Sequence, residues 1–414
     1  MNFLYNTAIG AYAFAARIAS ARSPKVRAML DGQKRAVSHV AESREAKAPD
    51  GFDIWFHVAS LGEFEQARPL IERIRTQQPA ASILLTFFSP SGYEVRKNFP
   101  LVDCVAYLPF DKPALVNAFI DAAKPKRAVF VKYEFWGNYI TSLYKRGIPV
   151  FLIDAIFRPE QAFFKAYGGT FRKILSCYTH IFVQDEDSRE LLAGIGIENV
   201  TVAGDTRFDR VANVRDNAVS LPQIQDWLSG KPFTVVVGSS WQPDEDRYIP
   251  WINANPEARA IIAPHEFDAK RIEILRNRFS GKSVLWSSVK DSQEPILADT
   301  QVLIIDTFGL LSSLYRFGSV ALIGGGFGVG IHNINEAAVY GIPVAFGPNH
   351  HKFKEARDLI ECGGAVEYSD ARGIAAVLDR WNNNPEALAA AGSAAQKYIN
   401  ASLGATDRIL PEIL

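Results

Sequence analysis

The sequence predicts an α/β protein made of two doubly wound, Rossmann-like domains in tandem. Three observations lead there. Short apolar runs alternate with amphipathic helical segments along nearly the whole chain, the pattern of parallel strands covered by helices on both faces. The alternation pauses once, in the polar stretch 205–232 with its Pro222 and Ser229-Gly230 pair, and then restarts. The length of 414 residues is enough for two separate cores. In such folds ligands bind at the carboxyl ends of the strands and in the cleft between domains, so residues just after each strand are the first candidates for chemistry.

The chain opens on MNFLYNTAIGAYAFAA, without a charged side chain, followed by Arg17, Arg22, Lys25 and Arg27. A spanning helix needs roughly 20 apolar residues, so this run is short. A signal peptide would put its basic residues first, whereas here they come after. Residues 1–30 therefore predict a retained helix lying on an anionic membrane surface. The alternative is a helix packed on the protein's own first domain.

The first domain, 31–212, reads as strands near 53–59, 82–87, 104–108, 128–132, 150–153 and 180–183, with helices at 65–77, 112–123, 139–146 and 187–195. The second, 213–395, reads as strands at 234–237, 260–262, 284–286, 302–305, 320–323 and 344–346, with helices at 271–278, 310–316, 335–340 and 355–362. The last segment, 396–414, is expected to be helical and able to cross back to the first domain.

Lys and Arg total 45, as do Asp and Glu, so no bulk charge favours nucleic acid and an anionic partner must be held locally. Cys104, Cys177 and Cys362 lack CxxC spacing and read as buried free thiols. No ligand-spaced cluster of His, Cys or carboxylates implies a catalytic metal.

The most distinctive motif is the glycine loop Gly324-Gly325-Gly326-Phe327-Gly328-Val329-Gly330, continuing into His332-Asn333-Ile334-Asn335-Glu336. A glycine turn after a strand and before a helix lets backbone N–H groups approach a phosphate, with Glu336 near the sugar of a nucleotide. A tight packing turn is the competing reading. Glu63, in Ser60-Leu61-Gly62-Glu63, follows the first strand at a helix start: either a general base for a sugar hydroxyl or an ordinary capping residue. Glu134, in Tyr133-Glu134-Phe135-Trp136, is a sugar contact, a second carboxylate or a cap. Arg207, in Gly204-Asp205-Thr206-Arg207-Phe208-Asp209, either offsets charge on a leaving phosphate or forms a salt bridge. Pro264-His265 and Asp306-Thr307-Phe308-Gly309-Leu310 end two strands of the second domain, on the same rim as the glycine loop, and His350-His351, in a loop near that rim, read as polar groups of the surface or of the donor side and not as a metal site.

Taken together and in order, Ser60-Leu61-Gly62-Glu63, Ser89-Pro90-Ser91-Gly92, Leu108-Pro109-Phe110-Asp111, Glu134-Phe135-Trp136-Gly137-Asn138, Gly204–Asp209, Asp306–Gly309 and His332–Ala338 resemble the 3-deoxy-D-manno-octulosonic acid (Kdo) transferases of lipopolysaccharide synthesis. The resemblance implies a GT-B glycosyltransferase, two Rossmann-like domains facing across a cleft, with the acceptor on the first and the donor on the second. It implies CMP-Kdo as donor, lipid IVA as acceptor, no cofactor or metal, and a place at the cytoplasmic face of a Gram-negative inner membrane. It assigns Glu63 as general base, Glu134 and Arg207 as transition-state stabilisers, and CMP contacts to Pro264, His265, Phe308, Gly309, Leu310, Asn333, Ile334, Asn335 and Glu336, beside Gly325 and Gly326 of the loop. The chain departs from the family pattern at Arg207 (lysine there), His265 (arginine), Gly137 (proline) and Ile156 (arginine), with Arg158 a substitute for the last. The competing functions are a UDP-sugar transferase or epimerase, and a non-catalytic membrane-attached scaffold.

Overall fold

The computed structural model describes residues 3–230, 232–292 and 294–414, so Met1 and Asn2 of the uncharged start lie outside the described residues. The chain divides into two compact units, one running to Arg210 and taking in Leu403–Leu414, the other Val211–Ser402.

In the first unit seven parallel strands form one sheet: β1 Ile54–Val58, β2 Ile83–Phe87, β3 Cys104–Tyr107, β4 Ala128–Val131, β5 Val150–Ala155, β6 His180–Val183 and β7 Val200–Val202. Their order is β3-β2-β1-β4-β5-β6-β7. Central strands are buried on both faces, which is why Ile54-Trp55-Phe56-His57-Val58 is a continuous run and does not alternate. The helices used below are α1 Phe3–Ser20, α2 Pro24–Lys47, α3 Leu61–Gln77, α4 Pro90–Arg96, α5 Pro113–Ala123 and α6 Gly137–Lys145. One face of the sheet is covered by α2, α5 and α6 through Val40, Phe119 and Tyr139 around Trp55. The other is covered by α3, through Phe64, Leu70 and Ile71, and by the terminal helix Ala405–Ile413, through Ile409, Leu410 and Ile413.

The second unit repeats the plan with β8 Thr234–Ser240, β9 Arg259–Pro264, β10 Lys282–Leu285, β11 Thr300–Ile304, β12 Val320–Ile323, β13 Val344–Phe346 and β14 Ala365–Glu367, ordered β10-β11-β9-β8-β12-β13-β14. All pairings in both sheets are parallel, so every carboxyl end within a unit lies on one rim. The first order reverses once, and the second, apart from the swapped pair β10-β11 at its edge, does the same. The reversal falls between β1 and β4 in the first unit and between β8 and β12 in the second, and those two crevices are where doubly wound sheets take ligands.

The structure bears out the doubly wound α/β class and refines its elements. The three-residue strands β7 and β14 were not legible, since each is a short edge strand with partly exposed residues. The polar stretch after 205 is largely helical, Thr206–Asp216 and Pro222–Trp227. Among the described residues no helix is long and apolar enough to cross a membrane. The thiols need correction: Cys104 is buried, but Cys177 is only partly so and Cys362, just past the helix Lys354–Glu361, is exposed.

Candidate active site

The first unit presents its motifs on the loops after β1, β2, β3, β4 and β7, and specific contacts tie them together. Glu63 is the third residue of α3 and half-buried. Its Oε2 accepts the Ser60 backbone N–H at 3.1 Å and the Ser60 hydroxyl at 2.5 Å, a capping box. The capping reading is thus realised, and it holds the carboxylate at the carboxyl end of β1 beside the reversal. Gly92 explains the neighbouring motif: a Cβ there would lie 2.4 Å from the Phe87 ring and 3.0 Å from the Leu61 nitrogen, so only glycine lets α4 pack against the start of α3.

Glu134 follows β4, which pairs directly with β1. It is buried, and its Oε2 accepts from His57 Nε2 at 3.0 Å and from Trp136 Nε1. His57, fully buried on β1, reaches Thr86 Oγ1 of β2 with its other nitrogen at 2.9 Å. Sequence reasoning did not single out His57, because a histidine inside an apolar strand has no local signal of its partner.

Asp111 joins two further motifs. Its carboxylate accepts the backbone N–H groups of Asn138 and Tyr139, both at 2.9 Å, capping α6 from another loop, and it also accepts the Tyr5 hydroxyl at 2.5 Å. Burial pushes its carboxyl up from the usual range, against the pull of these donors. The Tyr5 hydroxyl in turn accepts the Gly137 N–H at 2.9 Å. Proline at 137 would have no N–H to give, so this departure from the family pattern goes with the docking of α1. The rest of α1 lays Tyr12 on Phe88 and Phe110 and leaves Phe3, Leu4, Phe14 and Ile18 exposed. Arg17, Arg22 and Lys25 are exposed beside it, whereas Arg27 bonds the carbonyls of Ser20 and Ala21 at the end of α1.

Arg207 opens the helix Thr206–Asp216, and its guanidinium grips the buried Asp205 through Nε at 2.9 Å and a terminal nitrogen at 2.6 Å. The salt bridge is with its own near neighbour in the chain. Next to it Asp154, fully buried and left-handed at φ 54°, accepts the Thr206 N–H at 2.8 Å and lies 2.7 Å from the Thr206 hydroxyl. Burial, then the nearby Asp205 carboxylate, pushes the Asp154 carboxyl up to about 8. Asp209 accepts the N–H groups of Gly404 and Thr406, fastening the terminal helix. Ile156 is half-buried and Arg158 exposed; Arg172 bonds the carbonyls of Phe163 and Lys165.

In the second unit Pro264 ends β9 and His265 stacks on Trp241 at 4.1 Å, with His332 4.8 Å beyond. Trp241 Nε1 donates to His332 Nε2 at 3.3 Å, and burial holds the His332 ring below its ordinary range, so that nitrogen stays a bare acceptor. Trp241, absent from the sequence-derived candidates, follows β8, whose Ser239 is left-handed at φ 52°. Phe308 is exposed with its edge on Phe267, Gly309 has φ 87°, and Leu310 starts the helical turn Leu311–Leu314. Glu336 accepts the Ser312 hydroxyl at 2.6 Å and the Asn333 side-chain amide at 3.1 Å; Asn335 is buried, with Ile334 beside it in the core.

Several N–H groups of the glycine loop are engaged within the protein. The N–H of Gly325 is spent on Asp244 Oδ2 at 3.0 Å, and those of Gly324, Gly328 and Gly330 on backbone carbonyls. A Cβ on Gly326 would sit 2.6 Å from the backbone of Gly347. Gly325 and Gly326 therefore have a packing reason, and the helix that follows, Asn335–Ala338, is one turn long and begins only after Ile334. His350, read as a polar group of the surface or of the donor side, is buried under Phe346 and bonds Glu367 at 2.7 Å; His351 is the exposed member of the pair.

Residues 21–210 match the family model of 3-deoxy-D-manno-octulosonic-acid transferases, the region that carries Glu63, Glu134 and Arg207. The chain is thus similar to Kdo transferases over this region. Relatives extend the match into the second unit. The Kdo transferase of Aquifex aeolicus is 28% identical over 320 residues, covering 75% of this chain and 80% of that one. That of Bordetella pertussis is 27% identical over 391 residues, covering 88% and 87%. The two-unit fold is shared with the UDP-GlcNAc 2-epimerase of Neisseria meningitidis at TM-score 0.56 and 14% identity, over 85% of this chain and 99% of that one.

Proposed function

We propose that the protein is an inverting glycosyltransferase that moves Kdo from CMP-Kdo to lipid IVA. The observation that carries the reading is the placement of the motif carboxylates: Glu63 and Glu134 follow β1 and β4, the two strands that flank the reversal of the first sheet. The second sheet's reversal, between β8 and β12, is flanked by Trp241 and by the glycine loop leading to Asn333–Glu336.

Glu63 takes the proton of the acceptor hydroxyl as its oxygen attacks the anomeric carbon of Kdo, and the C–O bond to CMP breaks with its electron pair leaving on the phosphate. Ser60 supports this role by fixing Oε2, so the base meets the hydroxyl without an orientational search. Arg207, anchored by Asp205, and Glu134, anchored by His57 and Trp136, are the stabilising pair. Pro264, His265, Phe308, Gly309, Leu310 and Asn333–Glu336 hold the nucleotide, and no metal is invoked. The exposed apolar face of α1 beside Arg17, Arg22 and Lys25 suits the cytoplasmic surface of an anionic membrane, where a phosphorylated lipid acceptor resides.

The test is incubation of the purified protein with CMP-Kdo and lipid IVA followed by mass analysis of the lipid. A gain of one or more Kdo units is expected, and an unchanged lipid refutes the proposal. Separate calorimetric titrations with CMP and UDP address the donor: binding of UDP without a response to CMP overturns the donor assignment.

A further inference from the structure

The buried His57 is not accounted for by packing alone. Its ring lies edge-on to Phe130 at 5.5 Å and to Trp136 at 6.3 Å, so neighbouring aromatics restrict its rotation. Both nitrogens are engaged, Nδ1 with Thr86 Oγ1 at 2.9 Å and Nε2 with Glu134 Oε2 at 3.0 Å. Thr86 is itself pinned: its hydroxyl oxygen accepts Trp55 Nε1–H at 2.8 Å and lies 3.3 Å from the Phe56 carbonyl. The hydroxyl proton can point to His57 Nδ1, or to Phe56 O when Nδ1 carries a proton of its own. In the first arrangement the neutral ring carries its own proton on Nε2, so every donor has an acceptor and Nε2–H is presented to Glu134, and this is the arrangement that suits an acid at that position. The two side-chain donors on Glu134, His57 Nε2 and Trp136 Nε1, both end on Oε2; neither bond involves Oε1.

We propose that His57 is a positioning residue for the transfer reaction: the chain Trp55–Thr86–His57 locks Oε2 of Glu134 and so aims its other oxygen at the sugar ring during transfer. The inference rests on the role given to Glu134 above. A core histidine that merely satisfies a buried acid would stabilise the fold without governing turnover, and the two cases separate by experiment.

His57→Gln keeps a side-chain N–H near the place of Nε2, whereas in His57→Asn the amide reaches toward Thr86 and falls short of Glu134. With CMP-Kdo and lipid IVA, His57→Asn is expected to lose roughly 100-fold in kcat, the scale of a misplaced catalytic group, with KM for CMP-Kdo unchanged. His57→Gln is expected to restore most of that loss at a similar melting midpoint. In a double-mutant cycle, adding His57→Asn to Glu134→Gln is expected to cost nothing further. Wild-type kcat in His57→Asn, or losses that add in the cycle, overturn the proposal.

Should the asparagine variant fail to fold, 15N-histidine NMR of the full chain reads the same contact in wild type and Glu134→Gln. A protonated Nε2 whose resonance moves on that substitution is expected, and one that does not move overturns the proposal. Absence of any Kdo transfer by the wild type would instead refute the proposed function, leaving the His57–Glu134 contact to be judged by the NMR comparison.

Discussion

Asp154 offers a quantitative test of how the loops on the first unit's rim are held. Its carboxyl is fully buried, and the Thr206 hydroxyl beside it has one proton but two acceptors in range, Asp154 Oδ2 and the Gln66 carbonyl, each at 2.7 Å. A proton on Asp154 resolves the conflict, donating to the threonine oxygen while the threonine donates to Gln66. This agrees with a carboxyl pushed up to about 8 by burial and by Asp205. The folded state then binds a proton that the unfolded chain releases near its ordinary value of 3.8. The stabilisation is therefore fully present below that ordinary value and is lost as pH rises through about 8. Asp154→Asn mimics the protonated form at every pH, keeping a carbonyl for the Thr206 N–H and an N–H for the Thr206 oxygen. Between pH 5 and 8 the variant should gain on the wild type by up to about 1.4 kcal/mol per pH unit. For a unit of this size that is about 3–5 °C in melting midpoint per pH unit, followed by circular dichroism or by tryptophan fluorescence. Above pH 8 the gap should level off. Midpoints that run parallel from pH 5 to 8 would show that Asp154 is already ionised in the fold and would refute the reasoning.

Other perturbations test the site and its supports. Glu63→Gln preserves the capping box, since glutamine serves at that position, so the melting midpoint should hold while Kdo transfer falls by roughly 100-fold or more; an active Glu63→Gln enzyme ends the general-base assignment. Gly326→Ala drives a methyl into the Gly347 backbone and should destabilise the second unit by about 1–3 kcal/mol in denaturant melts, whereas Gly10→Ala on α1, with nothing within 4 Å, should leave stability unchanged or slightly raised. Replacing Leu4, Phe14 and Ile18 by serine removes exposed apolar surface and should abolish co-flotation with anionic vesicles without lowering the melting midpoint; flotation that persists shows that α1 is not the membrane contact.

The legible part of this molecule was what repeats locally. The apolar runs 54–58, 83–87 and 320–323 are strands because both their faces are buried, and the segments between them are helices because apolar residues recur on one side. The motif residues then fell at carboxyl ends, since the all-parallel order leaves them nowhere else to follow a strand. Less legible was what each motif residue touches. Glu134 is bonded to a histidine 77 positions away, and Gly325 gives its N–H to an acid 81 positions away. No spacing rule encodes those pairs. The same holds for Cys362 and His350, whose composition-based burial and exposure were reversed by their places at a helix end and beneath Phe346.

The chain's own order of residues determined the α/β class, the tandem sheets and the likeness of its motifs to those of Kdo transferases, because periodicity and motif succession are properties of neighbours along the backbone. Tertiary structure alone decided that Asp111 caps α6 from another loop, that His57 stands behind Glu134, and that the glycines at 325 and 326 serve close packing. The physical reason is that a donor selects its acceptor by distance and direction in space, and a buried polar group must find one wherever the fold brings it.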